Sequence, residues 1–160
     1  MRVEAELEEL GLVLPAAPKL PPVVRLSFAW VRVYGDRAYI AGQAPLNPDG
    51  SIAEPLGKVG VDLSVQEGYQ AAPSSALTIL SSLKRELGDL DRVTAWLMVY
   101  GLVNAEPDFT LTTDVINGFS DLILELYGPE AGMHARMAPG LATLPLGVPV
   151  TIAAEVAIRA

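Results

Sequence analysis

Between residues 148 and 158 the chain alternates without a break. Val148, Val150, Ile152, Ala154, Val156 and Ile158 fall on one side; Pro149, Thr151, Ala153, Glu155 and Ala157 fall on the other. Successive side chains of an extended strand point to opposite faces, so this spacing predicts a strand with one wholly aliphatic face. Such a face must be covered by another layer. Two helical stretches supply the cover. The first opens at Ser64-Val65-Gln66-Glu67, a capping box in which serine and glutamate satisfy each other's backbone amides. Tyr69, Ala72, Ala76, Leu80, Leu83 and Leu87 then recur at three- and four-residue spacing, and Gly88 ends the helix. Pro73 removes one backbone bond inside it, which predicts a kink. The second helix covers residues 110–127, with Val115, Phe119, Leu122 and Leu126 inward and Gly128-Pro129 as the stop.

The remaining segments fill in a single domain over residues 1–160. Residues 3–11 read as a short helix carrying Val3, Leu7 and Leu10, closed by Gly11. Pro15, Pro18, Pro21 and Pro22 make residues 12–23 an extended arm, or a proline-rich recognition segment. The core spans residues 24–160. Residues 24–34 and 37–43 alternate as a hairpin around Tyr34-Gly35-Asp36-Arg37, and Asn47-Pro48-Asp49-Gly50 is a turn. Residues 92–102 and 135–143 complete the strands. The order β-β-α-β-α-β-β predicts an α+β layer, two long helices on one face of a mostly antiparallel sheet.

Composition removes several functions. The formal charge of −8 disfavours nucleic acid, whose affinity comes from cationic contacts to phosphate, and offers no polybasic anchor for a membrane. With no cysteine there is no thiolate nucleophile and no cysteine-based metal centre, and one histidine does not make a multi-histidine site. The N-terminus is acidic where a signal peptide needs positive charge, and no 18-residue apolar run exists. A cytoplasmic protein is expected.

No nucleophile elbow, Walker loop, dinucleotide fingerprint or zinc-protease motif is present. The segment that stands out is His134-Ala135-Arg136-Met137-Ala138. Arg136 shares a strand face with Ala138 and Gly140, whose small size leaves room beside a guanidinium that suits a bidentate carboxylate. A surface arginine or a structural ion pair is the other reading. His134 is the one side chain whose ordinary pKa lies near neutrality; with neither a base partner nor a ligand partner visible, a strand-end or interface histidine is the favoured reading. Asn117 is a weak helix former inside a helix, placed to bond a loop or to orient a ligand. Tyr39, Tyr69, Trp30 and Trp96 read as core or interface residues, and Glu155 as a solvated or water-positioning acid.

Taken in order, Ala41-Gly42-Gln43-Ala44-Pro45, Ala105-Glu106-Pro107-Asp108-Phe109, Val115-Ile116-Asn117-Gly118, His134-Ala135-Arg136 and Leu144-Pro145-Leu146-Gly147-Val148 resemble the reactive-intermediate deaminase (Rid, YjgF) family, in its longer bacterial branch with an extra N-terminal helix. The resemblance implies a chorismate-mutase-like fold, a homotrimer whose sheets form a barrel, and ligand clefts between subunits. It implies hydrolysis of 2-imino or enamine acids to 2-keto acids and ammonia, without metal or organic cofactor. Arg136 matches the arginine that grips the substrate carboxylate, Asn117 the cleft-lining asparagine, and Gly42 a glycine whose backbone borders the cleft. His134 and Ala138 flank the arginine within the same segment and join the substrate-binding set. Three family polar groups are replaced. Phe28 stands where a tyrosine is expected, Ala41 where a serine is, and Thr151 where a glutamate helps place the attacking water. Glu155 lies on the same face about 13 Å further along the strand, and Ala153 fills the next family glutamate position. Two functions follow from this pattern: a deaminase, or a non-catalytic binder of keto acids or of a larger apolar carboxylate, acting as a sensor or pathway accessory protein.

Overall fold

The computed structural model describes residues 1–160. In chain order the elements are α1 (Arg2–Glu9), β1 (Val31–Tyr34), β2 (Arg37–Gln43), α2 (Val65–Leu87), β3 (Val93–Asn104), α3 (Thr112–Ala131), β4 (Ala135–Met137), β5 (Gly140–Leu141) and β6 (Val150–Ile158). The sheet order is β1-β2-β6-β3-β4, with β5 also beside β3. The β1–β2, β2–β6 and β3–β6 pairs are antiparallel, while β4 and β5 run parallel to β3. This is the α+β layer that the periodicities predict. No helix is long and apolar enough to cross a membrane.

The alternation at the C-terminus does what its spacing requires. Val150, Ile152, Ala154, Val156 and Ile158 are buried, and the residues between them are half-buried on the other face. The core joins them to Ile79, Leu80 and Leu83 of α2, Ile116, Phe119 and Ile123 of α3, and Trp96 of β3. Trp96 packs edge-on against Phe119 and Tyr127. The capping box is complete: Ser64 Oγ accepts from the Glu67 amide and Glu67 Oε1 from the Ser64 amide. Gly88 closes α2 at φ 81°, a conformation that a side chain would strain.

Four expectations are corrected. Residues 24–30 form no strand. β1 begins at Val31, because β2 leaves its partner after Ile40, bulging at Ala41-Gly42 to continue along β6. The 135–143 strand is two short pieces, since Pro139 between them has no amide to donate to a ladder. The stop at Gly128-Pro129 is a break rather than an end: Gly128 turns to φ 79° and the helix resumes through Ala131. β3 continues two residues beyond 102, because Val103 and Asn104 pair with β5. Separately, α2 runs unbroken through Pro73, and the backbone of Gly118 on α3 packs against the Tyr69 carbonyl that the proline leaves without its helical donor.

The N-terminal helix is held by carboxylates. Glu4 Oε1 accepts from Lys84 and from the Leu90 amide, and Asp91 accepts from the Val3 amide at 3.0 Å and from the Arg2 amide. Burial alone would raise the Asp91 pKa, but the two amides and the terminal ammonium bring it down to about 2. A carboxylate held below its ordinary value stabilises the fold above that ordinary value and stops doing so as the pH falls through the folded one. The stability of the wild type is therefore expected to decline from pH 4 to pH 2, measured by urea midpoints, and Asp91→Asn is expected to flatten that decline. Removing these charge-assisted bonds also costs about 2 kcal/mol at neutral pH. An acid limb of the same depth in both proteins would assign the effect elsewhere.

Candidate ligand site at Arg136

Arg136 stands beside Val99 in the parallel β3–β4 register, and Val99 is fully buried, so the arginine lies on the helix side of the sheet edge. There it meets α3. Nη1 donates to Asn117 Oδ1 at 3.0 Å and to Ser120 Oγ at 2.9 Å, and Nη2 donates to the Thr113 carbonyl at 3.3 Å. A guanidinium has five hydrogens to give. These three bonds use both on Nη1 and one on Nη2. Nε–H and the second Nη2 hydrogen remain, on the two nitrogens that chelate a carboxylate side-on.

No acid neutralises this cation. Arg136 takes part in none of the ion pairs of the chain. Asp121, the acid whose charge acts on it, accepts the Tyr69 hydroxyl at 2.6 Å. Burial lowers the Arg136 pKa, with Asp121 opposing, and the group stays charged at any physiological pH. His134 sits next to it, its ring stacked edge-on to Phe119, with Nε2 2.8 Å from Ser120 Oγ and Nδ1 2.8 Å from the Gly132 carbonyl. Burial pushes the His134 pKa down, the Gly132 carbonyl pulls it back, and the Arg136 charge lowers it further.

The other expected site residues gather elsewhere. Phe28, Trp30, Gly42, Leu146, Val148 and Thr151 line an apolar groove of about 290 Å³ on the open side of the sheet. Phe28 lies edge-on to Trp30 with ring centroids 5.1 Å apart. Ala41 and Gly42 form the β2 bulge, held in place by Gln43, which is 2% exposed and accepts from Ser82 of α2. A Cβ at Gly42 would lie 2.8 Å from the Thr151 methyl, so only glycine leaves both in contact. Ala138 packs on the core. Glu155 accepts from Tyr100 on the open face.

The sheet itself separates the two groups. Thr151 pairs with Leu102 on the open face, whereas Arg136 pairs with Val99 on the helix face two strands away. Within one chain the guanidinium and the groove do not face each other. Ser120 is the residue that sequence reasoning missed. Its signal was its position three residues after Asn117, which puts both on one face of α3. Trp30, Leu146 and Val148 of the groove were also missed as lining residues.

With this geometry in hand, likeness to known proteins carries weight. Residues 16–154 match the sequence model of the family described as "YjgF/chorismate mutase-like, putative endoribonuclease". A curated relative, protein TCP17 of Trypanosoma cruzi, is 41% identical over 158 residues, which are 99% of this chain and 95% of that protein. The crystal structure of Atu1372 from Agrobacterium tumefaciens, a protein of unknown function, superposes with a TM-score of 0.87 at 37% identity, covering 99% of this chain and 94% of its own. Escherichia coli TdcF, solved with bound serine, shares the fold with a TM-score of 0.61 at 15% identity, over 92% of this chain and 96% of TdcF. The chain belongs to the YjgF/chorismate mutase-like family.

Proposed function

We propose that the protein grips the carboxylate of a small 2-imino or enamine acid at Arg136 and hydrolyses the C=N bond, in clefts between the subunits of a homotrimer. The observation that carries this reading is the donor count on Arg136. Three hydrogens are spent on α3, one on Nε and one on Nη2 are free, and no acid occupies them. Carboxylate binding to such a fork is charge-assisted and directional. The placement of Phe28, Gly42 and Thr151 on the far side of the sheet from Arg136 supports assembly, since a second copy would supply the groove that one chain holds away from its own arginine. TdcF with its serine is a small amino acid held on the same fold.

The reaction is R–C(=NH₂⁺)–COO⁻ + H₂O → R–CO–COO⁻ + NH₄⁺. Water adds to the iminium carbon, a proton moves from the adding oxygen to nitrogen, and ammonia leaves as the C=O forms, taking the remaining hydroxyl proton to become NH₄⁺. Holding the carboxylate fixes that carbon against an incoming water, and positioning of this kind accelerates an addition that already proceeds in solution. The groove favours a second reading. Phe28, Ala41 and Thr151 place no carboxylate and only one hydroxyl where the family has polar groups, and nine of the thirteen lining residues are hydrophobic. That chemistry suits a binder of keto acids or of a larger apolar carboxylate.

One assay separates the two. Imino acids are generated in place by an amino-acid oxidase, and semicarbazide traps what remains. Reduced trapping when the protein is added, lost in Arg136→Ala, is the expected result. No effect with aliphatic, aromatic and acidic imines, alongside measurable keto-acid binding, selects the binder. The assembly is checked by light scattering at micromolar concentration, where three times the 17.0 kDa chain mass is expected and a monomer overturns the trimer. The nuclease description carried by the family is expected to fail here: a net charge of −8 leaves little to attract RNA. Salt-dependent micromolar binding of single-stranded RNA would reverse that.

A further inference from the structure

The hydrogen bonds around Arg136 run in a line whose direction is set at both ends. At one end the Gly132 carbonyl can only accept, so His134 Nδ1 carries a proton. At the other end Arg136 can only donate, so Ser120 Oγ accepts from Nη1. Between them Ser120 Oγ and His134 Nε2 are 2.8 Å apart. With the ring neutral, Nε2 has only a lone pair, and the serine hydroxyl must point at it. We propose that His134 and Ser120 are positioning residues for Arg136: the histidine aims the serine proton away from the guanidinium, and the serine lone pair then holds Nη1 so that the free donors of Nε and Nη2 face the ligand. The inference deepens the carboxylate reading of Arg136 and rests on it for its effect on affinity.

The other tautomer is disfavoured at the Gly132 end of the line. If Nε2 carried the proton, Nδ1 would set a lone pair against the Gly132 carbonyl at 2.8 Å, two acceptors in contact. Burial and the neighbouring Arg136 charge both favour the neutral ring. Ser120 is 8% exposed and His134 half-buried, so water competes weakly for these bonds. Asn117 takes the other Nη1 hydrogen, which leaves that nitrogen no freedom to turn. The substrate contact is therefore reserved for Arg136, and His134 acts one residue removed from it.

His134 is the single histidine of the chain, so its ring nitrogens give one unambiguous set of NMR signals. In the wild-type protein at pH 7.5 the neutral Nδ1–H tautomer is expected, together with hindered rotation of the Arg136 Nη groups. Ser120→Ala is expected to free that rotation and to weaken 2-ketobutyrate binding three- to tenfold, with circular dichroism unchanged. His134→Ala is expected to give a loss of similar size, and the double variant no more than either single one, because the two residues act as a unit. An Nε2–H tautomer, freely rotating Nη groups in the wild type, or losses that multiply in the double variant would each overturn the proposal. If the wild type binds no keto acid, the carboxylate reading of Arg136 fails, and the tautomer and the Ser120-dependent rotation still decide whether the relay exists.

Discussion

Gly118→Ala is expected to cost about 3 kcal/mol of folding stability. An ideal Cβ at this position would lie 2.1 Å from the Tyr69 carbonyl oxygen and 3.1 Å from Pro73 Cδ. The first is a backbone atom in the second turn of α2, so relief requires the two helices to move apart. Their shared contact holds Ala72, Ala76, Val115 and Phe119, all fully buried, and separation would open voids along it. Pro73 makes the approach possible, since the carbonyl it leaves unbonded is the one the glycine covers. Gly101→Ala is the informative contrast. Its Cβ would meet Cγ2, Cγ1 and Cδ1 of Ile116 at 2.6 to 2.8 Å, and although a β-branched side chain in a helix has little χ1 freedom, these contacts are longer than the 2.1 Å approach to a backbone carbonyl. Urea denaturation followed by circular dichroism checks both. The midpoint of Gly118→Ala should fall well below that of Gly101→Ala, and equal midpoints would show that α2 and α3 adjust freely.

Arg136→Ala is expected to weaken 2-keto-acid binding by about 2–4 kcal/mol, roughly 30- to 1000-fold, through the lost charge-assisted pair. The fold should survive. The guanidinium bonds to two side chains and one carbonyl near the start of α3, none of which lies in the hydrophobic core cluster. Arg136→Lys tests the geometry separately from the charge. An ammonium keeps the cation but loses the planar fork, so it is expected to recover only part of the affinity. Calorimetric titration gives the affinities, with circular dichroism as the folding control. Wild-type affinity in Arg136→Ala would remove this residue from the site, and wild-type affinity in Arg136→Lys would remove the bidentate geometry.

Much of the fold was legible because it is written in short-range patterns. The capping box at Ser64, the glycine stop at Gly88, the helical stripes of α2 and α3 and the alternation of β6 each depend on neighbours a few residues apart. Each appears in the structure within a few residues of its expected place. The misplacements share a cause. Residues 24–30 alternate as a strand should, but β2 bulges after Ile40, and beyond the Ala41 amide donating to the Trp30 carbonyl no ladder forms. Strand pattern is necessary for pairing, and register decides it. Residues 135–143 were likewise readable as extended, but not as two pieces set parallel to β3.

The candidate site divides along the same line. Arg136 among small residues was visible in the sequence, and so was its suitability for a carboxylate. Nothing local told which of its five donors would be spent. That depended on α3 crossing the sheet edge so that Thr113, Asn117 and Ser120 all reach one guanidinium. Nor did the order of motifs along the chain reveal that Arg136 and Thr151 lie on opposite faces of one sheet, since face is fixed by strand register across β3 and not by distance in sequence. By itself the sequence determined the elements, their buried faces and the cation, because periodicity and side-chain chemistry are local. The tertiary structure alone decided which polar groups share a hydrogen bond and which site residues face each other, because those depend on how distant segments are brought into register.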